Sequence, residues 1–406
     1  MIKFISTEQF KTIQFHFQFL EPIEKDAFVY RFLLTRILRS YTDSHPTIKE
    51  FNQRLSYLYG MQISDALFTL EDQHIIKLTI SIPDYHFIDD QMLLTQTVAL
   101  IEEVIFKRNP FDQQIFNEVK RVTSEHVATI KERRFEYAKT QFYKQLYQGN
   151  DLAHPLSGTL DEILEISSQS LYDYYQRYFL KNPFVLIVNG NLSAEDQNLI
   201  TQTFNKYVTN KEVKVNRFKG IDLEYHHYQE TIDISAAYLF AGYSLPISIQ
   251  DPLYYAAVLT NLIIGNYPDS SLFRIFREEL LLAYDVESDY SYDKGQLLIY
   301  ANVDSSDCQA SFESLISLMS QIISDGVSAE ELESAKIYLV NMLKMGTDLQ
   351  ERQAAELFIQ VVYQREFSLN DAIKQIMNTT LDDIYDCLSL LELKASYILS
   401  GGSDET

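Results

Sequence analysis

The sequence predicts an α+β protein made of two similar halves, each a mainly antiparallel sheet packed with helices. Three observations point there. Short alternating segments are followed by long apolar segments of helical length, the combination expected of mixed layers. The same order of segments returns after a polar stretch near the middle of the chain. Residues matched between the two copies stay at a slowly falling offset along nearly the whole length.

The first alternating segment places Ile13, Phe15, Phe17 and Phe19 on one parity and Gln14, His16 and Gln18 on the other, which reads as a half-buried strand. Asp26 then stands as an N-cap for a helix over 27–39, apolar around most of its circumference. A second helix is expected over 47–59, ending near Gly60, followed by strands over 62–70 and 74–82 that stop at Pro83-Asp84. Helices over 88–107, 112–148 and 160–178 lead to a strand at Phe184–Val188 and a turn at Asn189-Gly190. Residues 205–222 are rich in Lys and Asn and read as a linker. Beyond them come a strand over 231–243 and helices over 253–264 and 272–281.

The copies align residue by residue. Leu34-Thr35 matches Leu259-Thr260, Phe51 matches Phe276 and Tyr59 matches Tyr284, all at an offset of 225. Asp84 matches Asp304 at 220, and Phe116 matches Leu332 at 216. Ile163, Ile166, Leu171 and Tyr175 match Ile373, Ile376, Leu381 and Tyr385 at 210. Short deletions in loops produce such a drift, so a whole domain is duplicated rather than a solenoid repeat. The expected domains are 1–213 and 214–406, and two facing halves would leave a cleft between them, a favoured place for a ligand.

Composition narrows the function. A net charge of −23 repels nucleic acid and anionic membrane, so neither is expected as a partner. Cys308 and Cys387 are the two cysteines, too few for a disulfide framework or a thiolate metal cage, which suits a cytoplasmic protein. Polar residues interrupt the N-terminal apolar stretches, so no signal peptide is expected, and no run of about 18 apolar residues marks a membrane span.

No nucleophile elbow, P-loop or dinucleotide fingerprint is present, and none of the eight histidines forms an H-x-x-E-H or H-E-x-x-H pair. The adjacent His226 and His227 read as an edge or surface pair. One segment stands out, Asn117 to His126. Its Glu118 and Glu125 are seven residues apart, almost two helical turns, so both carboxylates share one face, either to ligate metal or share a proton, or as a solvated acidic face.

This segment resembles the helix of the pitrilysin/insulinase zinc peptidases that carries two spaced glutamates. The resemblance implies that Glu125 occupies the third zinc-ligand position and Glu118 the supporting one. The run Ser270 to Tyr284 is similar to the second-domain signature of that family, in which an arginine stands seven residues before a tyrosine; Arg277 and Tyr284 fit, and the resemblance implies contact with substrate or partner. His154-Pro155-Leu156 with Gly158-Thr159 and Ile163 is also similar to a family stretch.

The departure lies in the first helix. Where the family has H-x-x-E-H, this chain has Phe32-Leu33-Leu34-Thr35-Arg36. Phe32 has no ligand atom, Arg36 repels a cation, and Thr35 is no general base near neutral pH. No metal, cofactor or catalytic residue is therefore expected. If the helices pack as in the family, Arg36 should stand where zinc would and pair with Glu125, with Glu118 also within reach, or else turn to solvent. The segment Gly265-Asn266-Tyr267-Pro268-Asp269 has one glycine, unlike the glycine-rich loop of some non-catalytic family members.

The resemblance implies a catalytically inactive homologue, the non-catalytic partner of an active peptidase of the family, paired with it as a hetero-oligomer or forming a homodimer, and contributing a chamber wall for a polypeptide ligand. Two alternatives stay open. One is an active zinc endopeptidase with a relocated site built from Glu118, Glu125 and His126. The other is a stand-alone peptide-binding or scaffold protein. The resemblance also connects some bacterial relatives with modification of a translation elongation factor.

Overall fold

The computed structural model describes residues 1–88, 90–220, 224–280 and 282–401. In chain order the first half contains β1 (Ile2–Ser6), β2 (Thr12–Pro22), α1 (Lys25–Leu38), α2 (Ile48–Tyr57), β3 (Gln62–Leu70), β4 (Gln73–Pro83), α3 (Leu93–Phe106), α4 (Gln113–Ala128), α5 (Arg134–Leu146), α6 (Leu160–Glu165), α7 (Ser168–Arg177), β5 (Phe184–Gly190) and α8 (Ala194–Phe204). The second contains β6 (His226–Ile232), β7 (Ala236–Ser244), α9 (Tyr254–Asn261), β8 (Ala283–Ser291), β9 (Gln296–Asp304), α10 (Cys308–Asp325), α11 (Ala329–Gly346), α12 (Gln350–Tyr363), α13 (Leu369–Asn378), α14 (Leu381–Ser389) and β10 (Glu392–Gly401).

The strand order is β1-β5-β2-β4-β3 in one sheet and β6-β10-β7-β9-β8 in the other. These are the same topology. In each, the outermost pair is parallel (β1 with β5, β6 with β10) and every other pairing is antiparallel. The α+β class and the two similar halves are as the sequence predicts. Some matched positions serve matched purposes and others do not: Phe51 and Phe276 are both fully buried, whereas Tyr175 is fully buried and Tyr385 is exposed. Asp84 and Asp304 each end a strand by accepting a backbone N–H two residues on, at 2.9 Å.

The chain forms two compact units, and neither is one continuous stretch. The first comprises 1–129, 154–216 and 346–366; the second comprises 130–153, 217–345 and 367–406. Thus α5 folds with the second sheet and α12 with the first. The two helices begin at equivalent positions, since Gln350 lies 216 residues after Arg134, the offset that relates Phe116 to Leu332. Each half gives away the same helix.

In the first unit, α12 lies against β5. Gln350 fixes it: its side-chain N–H groups reach the carbonyls of Thr12 (2.9 Å) and Asn189 (2.8 Å), and its amide oxygen accepts from the Thr12 hydroxyl (2.6 Å). Lys77 adds an ion pair to Glu351 at 2.7 Å. In the second unit, α5 lies on β10 and β7. Phe142 stacks on Phe240, and the hydroxyls of Tyr137 and Tyr397 both donate to Glu230. Gly242 makes room for this helix, because a Cβ there would sit 2.9 Å from the Phe142 ring.

Several expected elements differ. The polar parity of β2 is not a solvent face: His16 and Gln18 are as buried as the phenylalanines between them, because α12 covers that side. Helix α1 begins one residue before Asp26, with Glu24 at the N-cap. The expected helix over 112–148 is two, separated by a 3-10 turn at Thr129–Glu132, because its C-terminal part docks in the other unit. The expected helix over 160–178 is α6 and α7, each opened by its own capping box. The expected strand over 231–243 is split into β6 and β7, which take different partners. The stretches Leu262–Asn266 and Leu272–Glu279 are wound as π-helix. Leu281, the expected end of the second of these, and residues 221–222 of the linker lie outside the described residues.

Candidate functional site

The candidate site is built on α1, β3 and α4 of the first unit. Helix α1 buries Phe28, Val29, Arg31, Phe32, Leu33, Leu34, Thr35, Ile37 and Leu38 and packs against α4, α6, α7 and β4. Helix α4 is capped by Asp112, whose carboxylate accepts the backbone N–H groups of Gln114 and Ile115 at 2.9 Å. Its buried stripe is Ile115, Phe116, Val119 and Thr123.

Phe32 and Thr35 are buried, and Arg36 is half-buried. Thr35 donates its hydroxyl to the Phe32 carbonyl (3.0 Å) and to Asp65 of β3 (3.0 Å). Arg36 lays its guanidinium on the Phe32 ring, 4.9 Å from the centroid, and donates Nη1 to Asp65 Oδ1 at 2.8 Å. Arg39, the C-cap residue of α1, approaches the same oxygen at 2.9 Å. Asp65 is thus a buried carboxylate, 4% exposed, shared by one hydroxyl and two guanidiniums that are 30% and 37% exposed. Burial lowers the Arg36 pKa; Asp65 opposes that and Arg39 reinforces it.

Glu118 and Glu125 do share one face of α4, as their spacing implies, but it is the face turned away from the buried stripe. Their side chains are 48% and 63% exposed. Arg121 lies between them and bonds both, at 2.7 Å to each. Its hydrogen bond holds the Glu118 carboxyl below its usual range. Arg36 forms no ion pair with Glu118 or Glu125, so the expected pairing of Arg36 with Glu125 does not occur. The reason is local. Asp65 is buried and requires a positive partner, whereas Arg121 sits three and four residues from the two glutamates and reaches both along the same helix.

These residues do not fit zinc. A hydrolytic zinc site needs three protein ligands and an open position. Here the first-helix positions offer a phenyl ring, a hydroxyl already bonded to Asp65 and a guanidinium. Among the described residues, no group of three or more His, Cys, Asp or Glu side chains is placed to hold a metal ion. The relocated set of Glu118, Glu125 and His126 does not form one.

Behind the site lies a second polar group on α1. Arg31, almost fully buried, donates Nε to Glu21 (2.7 Å) and to the Tyr174 hydroxyl (3.1 Å), and Nη1 to His74 Nδ1 (3.0 Å). Tyr174 in turn donates to Glu21. Burial, then the nearby Arg31 charge, pushes His74 down to about 3.

In the second unit, Arg277 and Tyr284 are both exposed. Arg277 rests on the Phe273 ring, 4.8 Å from its centroid, and neither residue has a hydrogen-bond or ion-pair partner among the described residues. Gly265 is a packing glycine: a Cβ would sit 2.9 Å from the Ser288 backbone nitrogen. Asn266 then ties the segment to β8 through the Ser288 carbonyl at 2.8 Å. His227 lies on the edge strand β6, bonded to Ser396 at 2.8 Å. His154 bonds Glu162 (2.8 Å) beside Thr159, the N-cap of α6.

Sequence reasoning missed Asp65, Arg39 and the Glu21–Arg31–His74–Tyr174 group. A signal for Asp65 was present. It shares the inward parity of β3 with Ile63 and Leu67, where a carboxylate must find a cation.

The family model described as "Peptidase M16 inactive domain" matches residues 165–339. The "Probable inactive metalloprotease YmfF" of Bacillus subtilis (strain 168) is 26% identical, over 98% of this chain and 95% of that protein. The "Uncharacterized zinc protease YmxG" of the same organism is 23% identical over 60% of this chain and 59% of that protein. Among solved structures, a conserved protein from Enterococcus faecalis V583 superimposes with a TM-score of 0.87 at 21% identity, over 100% of this chain and 97% of that one. The peptidase M16 inactive domain from Pseudomonas fluorescens gives 0.81 at 17%, over 100% and 97%. With the positions that resemble zinc-ligand and base positions filled by Phe32, Thr35 and Arg36, the chain is similar over nearly its whole length to a relative named as a probable inactive metalloprotease, and over residues 165–339 to the M16 inactive-domain model.

Proposed function

We propose that this protein is the non-catalytic partner of an active zinc peptidase of the same family and supplies peptide-binding surface to it. The observation that carries this reading is the Asp65 cluster. The positions that would hold metal and base are filled by groups bonded to one another, so chemistry must come from another chain. Arg277 and Tyr284, exposed and without polar partners among the described residues, are the groups that would touch peptide or partner. The protein would work in the cytoplasm, in keeping with two cysteines that are both free.

The test is to purify the chain, measure zinc by elemental analysis, and assay peptide cleavage alone and after mixing with an M16 peptidase carrying an intact H-x-x-E-H motif from the same cell. Zinc-free protein, silent alone and raising the cleavage rate of the mixture, is the expected result. Chelator-sensitive activity of the chain by itself overturns the reading. A homodimer that leaves the second enzyme's rate unchanged replaces it with a stand-alone scaffold.

A further inference from the structure

We propose that Arg36 and Arg39 form a binding site for a single carboxylate carried by a neutral or basic peptide. This rests on the peptide-binding reading above and names the group that would be recognised.

The argument starts from charge. Two guanidiniums meet one carboxylate, so the Arg36–Arg39–Asp65 cluster keeps a net charge of +1. The glutamates on α4 are bonded to Arg121 rather than to Arg36 or Arg39; that group carries a net charge of −1 and leaves the nitrogens of Arg36 and Arg39 open. The charges acting on Arg36 are Asp65, which favours its cationic form, and Arg39, which opposes it. A further anion would relieve that imbalance.

Geometry supplies the donors. Arg36 spends Nη1 on Asp65 and sets its guanidinium over the Phe32 ring, which leaves Nε and Nη2 with no protein acceptor among the described residues. Arg39 turns Nε toward Asp65 and keeps both terminal nitrogens. Both side chains are about one-third open to solvent, so an incoming oxygen can reach them. A guanidinium set over an aromatic ring and anchored at one nitrogen has less rotamer freedom to lose, and its remaining N–H pair matches the two oxygens of a carboxylate. Thr35 cannot compete, since its hydroxyl is bonded to Asp65.

The rest of the chain sets the specificity. Its overall charge of −23 disfavours the approach of polyanions. One carboxylate on an otherwise neutral or basic peptide satisfies the local +1 without opposing the global field. The carboxylate has two possible sources, a peptide C-terminus and an Asp or Glu side chain.

The test follows the arginine Nε–Hε NMR signals of the intact chain. Sodium acetate is titrated against sodium chloride at equal ionic strength. The acetylated peptide Ala-Ala-Ala-Ala-Lys follows, with a free C-terminus, then as its amide, then as an amide with one internal alanine replaced by glutamate. Saturable movement of the Arg36 and Arg39 signals with acetate, and binding of the free-acid peptide about tenfold tighter than its amide, is the expected result. Equal gain for the glutamate-containing amide shows that the site takes either carboxylate, and gain for that amide without gain for the free acid assigns it to side chains. The acetate response should vanish in R36Q; if that variant does not fold, the acid and amide comparison on the unaltered chain decides. Signals unmoved by acetate overturn the site, whatever the peptides do. An acetate response with no peptide binding keeps the carboxylate site and removes the peptide-binding reading instead.

Discussion

Replacing Asp65 with asparagine keeps the shape of a buried β3 side chain and removes the charge that holds Thr35, Arg36 and Arg39 together. Asp65 is 4% exposed, so its charge is stabilised by those three partners rather than by water. Breaking a fully buried ion pair costs about 3–5 kcal/mol. That figure is an upper bound here, because the guanidiniums are 30% and 37% exposed and regain hydration when released. Hydrogen bonds to a charged group contribute about 1.5–3 kcal/mol, and D65N should therefore destabilise the first unit by about 2 kcal/mol. For a unit of this size that lowers its thermal midpoint by about 4–8 °C. The measurement is thermal unfolding of the two single variants D65N and R36Q and of their combination. If the cluster is coupled as described, the double variant loses less than the sum of the singles. A D65N cost below about 0.5 kcal/mol, or full additivity with R36Q, would refute the reasoning.

Other substitutions test other parts of the fold. R31M leaves Glu21 buried beside neutral groups and should cost about 3–5 kcal/mol by urea denaturation. Burial holds His74 at about 3 and His16 at about 4 in the folded chain, both below their usual 6.5. The unfolded chain therefore binds protons first as pH falls. Stability is complete above pH 6.5 and declines as pH drops toward 4, by about 2 kcal/mol per histidine at pH 5; H74Q should flatten part of that slope in pH-dependent unfolding. Gly158 has φ +70° and a Cβ there would lie 2.7 Å from Val29 Cβ, so G158A should cost about 2–4 kcal/mol, read as a fall in melting temperature. Q350A removes three hydrogen bonds between α12 and the first sheet and should cost about 2–3 kcal/mol, with faster hydrogen exchange in α12 than in α1.

The fold was legible where its signals are local. The alternation of β2, the Asp84 and Asp304 strand ends, and the buried Phe51 and Phe276 all announce themselves within a few residues. What could not be read is set by distant chain. His16 and Gln18 look like the wet side of a strand until α12, more than 300 residues later, covers them. The break at Thr129–Glu132 contains neither Gly nor Pro, and is imposed by Tyr137 and Phe142 finding their partners in the second sheet. The site divides the same way. The loss of the metal ligands is visible from Phe32, Thr35 and Arg36 alone, and the shared face of Glu118 and Glu125 follows from their spacing. Which cation each carboxylate takes does not, because Arg121 competes from the same helix and Asp65 from another element.

The reciprocal loan of α5 and α12 separates the stretch of sequence that was copied from the body that folds. A chain ending in the central linker would carry a sheet whose second face has no cover, and a helix built for a sheet it lacks. Two such half-length chains could each satisfy the other by trading that helix. In the single chain the same exchange is intramolecular and does not depend on concentration. The unit that folds is therefore not the unit that was copied, and a cut at the linker leaves neither half with its own full set of helices.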